Sequence, residues 1–111
     1  MSEVMYDDGY TNIVNIDISS VVIKQMTERN VKRVGMKYET MDVRDIKYPD
    51  NYFDLTIDKS TIDALLCGDE AFINVAKMTK EIERTLKVGG SYMVISYGKP
   101  ENRLLHLVIT L

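Results

Sequence analysis

The chain has one cysteine, Cys67, and one histidine, His106. A single cysteine excludes an internal disulfide framework and fits a reducing compartment, so a cytoplasmic protein is the expectation. Cys67 has no second cysteine with which to build a metal site, and an incidental or structural role is expected for it. His106 lies beside an apolar tail with no acid or nucleophile near it in sequence, so catalysis is not expected there. Basic excess is lacking as well. The net charge of −3 leaves no electrostatic footprint for nucleic acid. No apolar run approaches the roughly 20 residues that span a bilayer. Met1 leads into acidic residues rather than a basic and then apolar region, so no secretory signal is expected. Repeats, low-complexity tracts and linkers are also missing.

What is present is a soluble, globular composition, 45% apolar and 28% charged. At 111 residues the chain is at most one small domain, long enough for a core but small for a complete nucleotide-binding enzyme. The pattern predicts a helix end over Ser2 to Asp8, stopped by Gly9. A strand follows over Asn12 to Asp17. A helix is expected over Val21 to Arg29, with Val22, Met26 and Ile23 facing inward. Strands are expected at Met36 to Met41 and Tyr52 to Ile57, the second entered through a turn at Pro49-Asp50-Asn51. Phe72, Val75, Ala76, Thr79, Ile82 and Leu86 recur at helical spacing and predict a helix over Glu70 to Lys87. Gly89-Gly90 should stop it, and Ser91 to Tyr97 reads as a fourth strand. Strand–helix–strand repetition predicts an α/β fold with a mainly parallel sheet.

Ligands of such sheets bind beyond the carboxyl ends of the strands. The first strand ends at Asp17, the second at Asp42 and the third at Asp58, so three successive strands each deliver an acid. Asp also caps helices and makes turns, which is the plainer explanation of any one of them. An acid such as Asp17, closing "NIVNIDISS", commonly holds the ribose of a nucleotide cofactor. The glycine-rich turn that should precede it is absent.

The segments "MYDDGYTNIVNIDISSVVIKQM", "MDVRDIKYPDNYFD", "IDKSTIDALL" and "LKVGGSYMVISYGKPENR" resemble class I S-adenosylmethionine-dependent methyltransferases. More narrowly, they resemble the eukaryotic methyltransferase-like group that includes lysine methyltransferases of translation elongation factors. The match runs from Met5 to Arg103, and "DKSTIDALL" is its most specific part. It implies a Rossmann-like methyltransferase sheet with helices on its faces, truncated at both ends. Residues 1–111 would then be a partial domain holding family strands two to five. The family's first strand, which lies centrally between the strands ending in Asp17 and Asp58, would be missing with its glycine loop. The closing antiparallel strands would be missing too.

The resemblance also implies roles. Asp17 would accept both ribose hydroxyls, a task suited to a carboxylate with two acceptor oxygens. Ile18 would lie against the adenine. Asp42 would accept from the adenine amine, and the Val43 backbone N–H would donate to a ring nitrogen. Asp58 would sit near the methionine end and the incoming nucleophile, a protein lysine by family analogy. Lys59, Ser60 and Thr61 either shape that pocket or cap a helix. A nicotinamide dehydrogenase is the rival enzyme reading. It would need a Tyr-x-x-x-Lys pair, and no tyrosine here has a lysine four residues on. A non-catalytic interaction module, or an oligomer that shares strands through exposed edges, is the rival from another class.

Overall fold

The computed structural model describes residues 2–59 and 61–95. Ser60, Tyr97, His106 and the apolar tail "LLHLVITL" lie outside them. The chain is α/β and forms two compact units, with the boundary between Val43 and Arg44.

The first unit contains α1 (Ser2–Asp7), β1 (Ile13–Asp17), α2 (Ser20–Arg29) and β2 (Met36–Thr40). β1 and β2 pair in parallel, Ile13 opposite Met36 through Asp17 opposite Thr40. Helix α2 starts where the sequence offers an N-cap: the Ser19 hydroxyl accepts the Val22 N–H at 3.3 Å. It ends at buried Asn30, whose backbone N–H and side-chain amide both donate to the Met26 carbonyl. Ile23 and Met26 are half-buried as expected, but Val22 is 42% exposed. Gly35 sets the entry to β2. It has φ +93°, and a Cβ there would run into the Thr11 carbonyl oxygen, so the site requires glycine on both counts. Arg33 ties α1 to this entry through a two-point ion pair with Asp7 and a further contact with Glu3. The guanidinium holds the exposed Asp7 carboxyl below the usual carboxylate range, chiefly through their hydrogen bond.

The second unit contains β3 (Phe53–Lys59), α3 (Thr61–Leu66), α4 (Ala71–Thr85) and β4 (Leu86–Ile95). β3 and β4 are also parallel. The core is built by α3 and α4 through Ile62, Val75, Met78, Thr79, Ile82 and Thr85, all essentially solvent-free. The buried threonines satisfy their hydroxyls on carbonyls one turn back, Thr79 on Val75 and Thr85 on Glu81. Phe72, expected inward, is 59% exposed, and Met78 takes the core position instead. Val75, Thr79 and Ile82 are buried as expected, Met78 and Thr85 complete the inward stripe, and Phe72 lies on the first turn of α4. Arg84 fastens the preceding loop to α4: it donates to the Ile46 and Tyr48 carbonyls and to Asp50 and Glu81.

Three elements differ from the sequence pattern. Helix α3 was not expected as a separate helix. β3 extends through Lys59, so Asp58 lies within the strand rather than after it. β4 begins directly at Leu86 and runs through both glycines. The register explains how: Phe53 pairs with Leu86 and Leu55 with Ser91, so Asp54 alone faces the stretch from Lys87 to Gly90. Gly89 takes φ +83° in this bulge, and a Cβ on Gly90 would sit 3.0 Å from the Asp54 carbonyl. The glycines therefore shape a bulge inside the strand instead of separating helix from strand. Among the described residues the strands pair as β1 with β2 in the first unit and β3 with β4 in the second.

Candidate cofactor site and the β3–α3 junction

In the first unit, Asp17 closes β1 and its backbone carbonyl accepts the Met41 N–H at 2.9 Å. That bond ties the end of β1 to the segment leaving β2, so Asp42 and Val43 follow β2 on the side where β1 ends. The Asp17 side chain is exposed, and its Oδ1 accepts the Ser19 N–H at 2.8 Å. This is the local turn that Asp often makes before a helix. It occupies one acceptor position, and Oδ2 has no hydrogen-bond partner among the described residues. A carboxylate with one oxygen anchored and the other open is oriented and still has acceptor capacity for a vicinal diol. Ile18 follows it, 70% exposed, an apolar side chain presented to solvent beside the acid. Asp42 and Val43 are half-buried. Acceptors for a ribose and an amine, with apolar side chains beside them, are the chemistry an adenosine group needs, so these residues fit the cofactor that the resemblance implies.

In the second unit, Asp58 is 5% exposed. Oδ1 accepts the Thr61 N–H at 2.7 Å, and Oδ2 accepts the Ile62 N–H at 3.2 Å and the Tyr92 hydroxyl at 3.0 Å. The carboxylate thus caps the start of α3 and meets a hydroxyl from β4. Of the two readings of the "DKST" stretch, helix capping is the one this geometry displays for Asp58, with Thr61 as the first helical residue. Lys59, the last residue of β3, is exposed. Cys67 is exposed and unpaired by disulfide. No group of His, Cys, Asp and Glu among the described residues could hold a metal ion.

Tyr92 was not singled out from the sequence, although a signal existed. Alternation in "SYMVI" puts Tyr92 and Val94 on one face of β4, and a half-buried tyrosine needs a partner for its hydroxyl. Tyr92 lies opposite Thr56, two residues before Asp58 on the neighbouring strand, within diagonal reach on the same face. Burial pushes the Tyr92 hydroxyl well above the usual tyrosine range, and the charge of Asp58 and their hydrogen bond push it the same way.

Comparison with known proteins places this geometry in a lineage. Residues 1–94 match the family described as "Methyltransferase domain". The chain is 48% identical over 99 residues to the eEF1A lysine and N-terminal methyltransferase of Bos taurus, a match that covers 86% of this chain and 14% of that protein. It is 30% identical over 114 residues to the EEF1A lysine methyltransferase 4 of Mus musculus, covering 96% of this chain and 45% of that protein. Among solved structures, the [4+2]-cyclase SpnF shares the fold with a TM-score of 0.79 at 21% identity, over 98% of this chain and 46% of that one. The PH0226 protein of Pyrococcus horikoshii OT3 shares it with a TM-score of 0.72 at 24% identity, over 84% of this chain and 42% of that one. The chain thus spans less than half the length of each of these proteins. A cyclase on the same fold is a reminder that architecture alone does not choose the reaction. Sequence identity does narrow it: this chain belongs to the class I S-adenosylmethionine-dependent methyltransferase family and is related to the elongation-factor lysine methyltransferases.

Proposed function

We propose that these 111 residues carry the adenosine half of an S-adenosylmethionine site in a protein methyltransferase, with a protein lysine as the methyl acceptor. The single observation that carries the reading is Asp17, oriented by Ser19 through one oxygen and with no partner for the other among the described residues, with Ile18 exposed beside it. Asp17 takes the ribose hydroxyls, Ile18 the adenine face, and Asp42 and the Val43 N–H the adenine edge. The bound cofactor would supply an electrophilic methyl group for in-line displacement. The chain's part in that step is to align it and to shape the acceptor side, since proximity and orientation supply much of such a rate enhancement. Lys59 stands exposed at the end of β3, where it would border an acceptor. Asp58 is proposed to serve the acceptor side by fixing the start of α3, because its oxygens already accept two backbone amides and a hydroxyl. The acceptor itself is inferred from the names of the relatives, which act on eEF1A lysine.

No G-x-G turn stands ahead of β1 in this sequence, so the candidate site offers contacts to the adenosine group and no glycine loop for the methionine end. A half-site must order itself on few contacts, so the isolated chain should bind S-adenosylmethionine weakly and be catalytically silent. A second reading is favoured by one observation: among the described residues the strands pair only as β1 with β2 and β3 with β4, and an edge strand offers backbone donors and acceptors to another chain. A non-catalytic module that shares strands with another chain would use those edges. Calorimetry on the folded 111-residue chain tests the first reading. Heats too weak to fit, or affinity weaker than about 100 μM, are expected. Micromolar one-to-one binding would show that the loop is dispensable and that the half-site description is wrong.

A further inference from the structure

We propose that Tyr92 is a positioning residue that acts through Asp58 to hold the β3–α3 junction in one conformation. The role rests on the methyltransferase reading only in making that junction the acceptor side of the site. The relay is short and wholly within one unit. Tyr92 donates its hydroxyl to Asp58 Oδ2 at 3.0 Å, and the same carboxylate accepts the Thr61 and Ile62 N–H groups at 2.7 and 3.2 Å. β4 thereby fixes an acid on β3, and the acid fixes the first turn of α3. Helix α3 has only six residues, too few to hold its own start, and Ile62 is its single buried anchor. The junction therefore depends on the cap, and the orientation of the cap depends on the hydroxyl. Without that third donor the carboxylate can rotate about its Cβ–Cγ bond and lose one of the two amides.

Tyr92→Phe keeps the ring and deletes only the hydroxyl, so packing and positioning separate cleanly. Two readouts on the 111-residue chain test the relay. The first is amide hydrogen exchange at Thr61 and Ile62, with Val75 to Thr79 in α4 as the internal reference. Tyr92→Phe is expected to speed exchange at the two junction amides by about tenfold and to leave the α4 amides within about twofold. In an Asp58→Ala background, adding Tyr92→Phe should change junction exchange by less than about twofold, because the hydroxyl then has nothing to act through. The second is phenolate absorbance, taken as the difference between the unsubstituted chain and Tyr92→Phe. It should show one tyrosine that stays neutral above about pH 10 while the chain is folded, and Asp58→Asn should let it ionise at lower pH. The folded pKa lies above the unfolded one, so the stability it lends is complete below about pH 10 and is lost as pH rises past it.

Junction exchange unchanged in Tyr92→Phe would overturn the relay, as would a Tyr92 that ionises with the exposed tyrosines. If Asp58→Ala fails to fold, the single Tyr92→Phe exchange result and the phenolate titration still decide. Neither readout involves cofactor, so their failure leaves the methyltransferase reading standing, and failure of cofactor binding leaves the relay standing.

Discussion

Asp58→Ala is expected to destabilise the chain by about 3–5 kcal/mol, the largest loss anticipated for any single substitution at the strand ends. Its carboxylate is 5% exposed and accepts three hydrogen bonds. Removing it strands a buried hydroxyl and the two backbone amides of the helix cap, at about 1–3 kcal/mol for each one that water cannot reach. For a domain of this size such a loss lowers the melting temperature by the order of 15 °C or more. Asp58→Asn should cost less, since an amide oxygen still accepts at the cap position. Urea melts of the two variants check this: the midpoint should fall steeply for Ala, with an unchanged slope. A loss below about 1 kcal/mol for Asp58→Ala would mean that the carboxylate is not held as described.

The second large effect is on binding rather than folding. Asp17→Ala should lower whatever affinity the protein has for S-adenosylmethionine by roughly ten- to a hundredfold, the value of one charged hydrogen-bond acceptor at about 1.5–3 kcal/mol. Asp17 is exposed and its one side-chain bond is local, to Ser19, so stability should change by less than about 1 kcal/mol. Asp17 and Asp58 therefore make opposite demands. One substitution spares the fold and impairs the ligand; the other impairs the fold before any ligand is added. An unchanged dissociation constant for Asp17→Ala would remove the acid from the site.

The contrast between these acids also shows what could be read from the sequence. Parallel pairing, the main helix and the acid closing β1 follow from alternation, helical spacing and cap chemistry, all of which are local. The family match rests on segments that keep their order along the chain. What escaped depended on contacts between distant residues. Asp17 and Asp58 look alike as strand-end acids, yet one is exposed and the other is enclosed by Thr61, Ile62 and Tyr92. The two amides come from the turn that follows Asp58, but the hydroxyl that meets it lies 34 residues away, and no local pattern reports that contact. The double glycine was legible as a break, but its place within β4 depends on Asp54 of the neighbouring strand. Helical spacing put Phe72 on the buried stripe, yet it lies on the first turn of α4 and is 59% exposed, while Met78 is buried.

The central claim is that β1 and β2 end in the adenosine half of a methyl-donor site. It is tested most directly by titrating the isotope-labelled 111-residue chain with S-adenosylmethionine, to millimolar concentration, and following its amide resonances. Weak, saturable shifts concentrated at Asp17, Ile18, Asp42 and Val43 are expected, abolished by Asp17→Ala. Shifts that leave those four residues untouched, or that persist undiminished in Asp17→Ala, would contradict it.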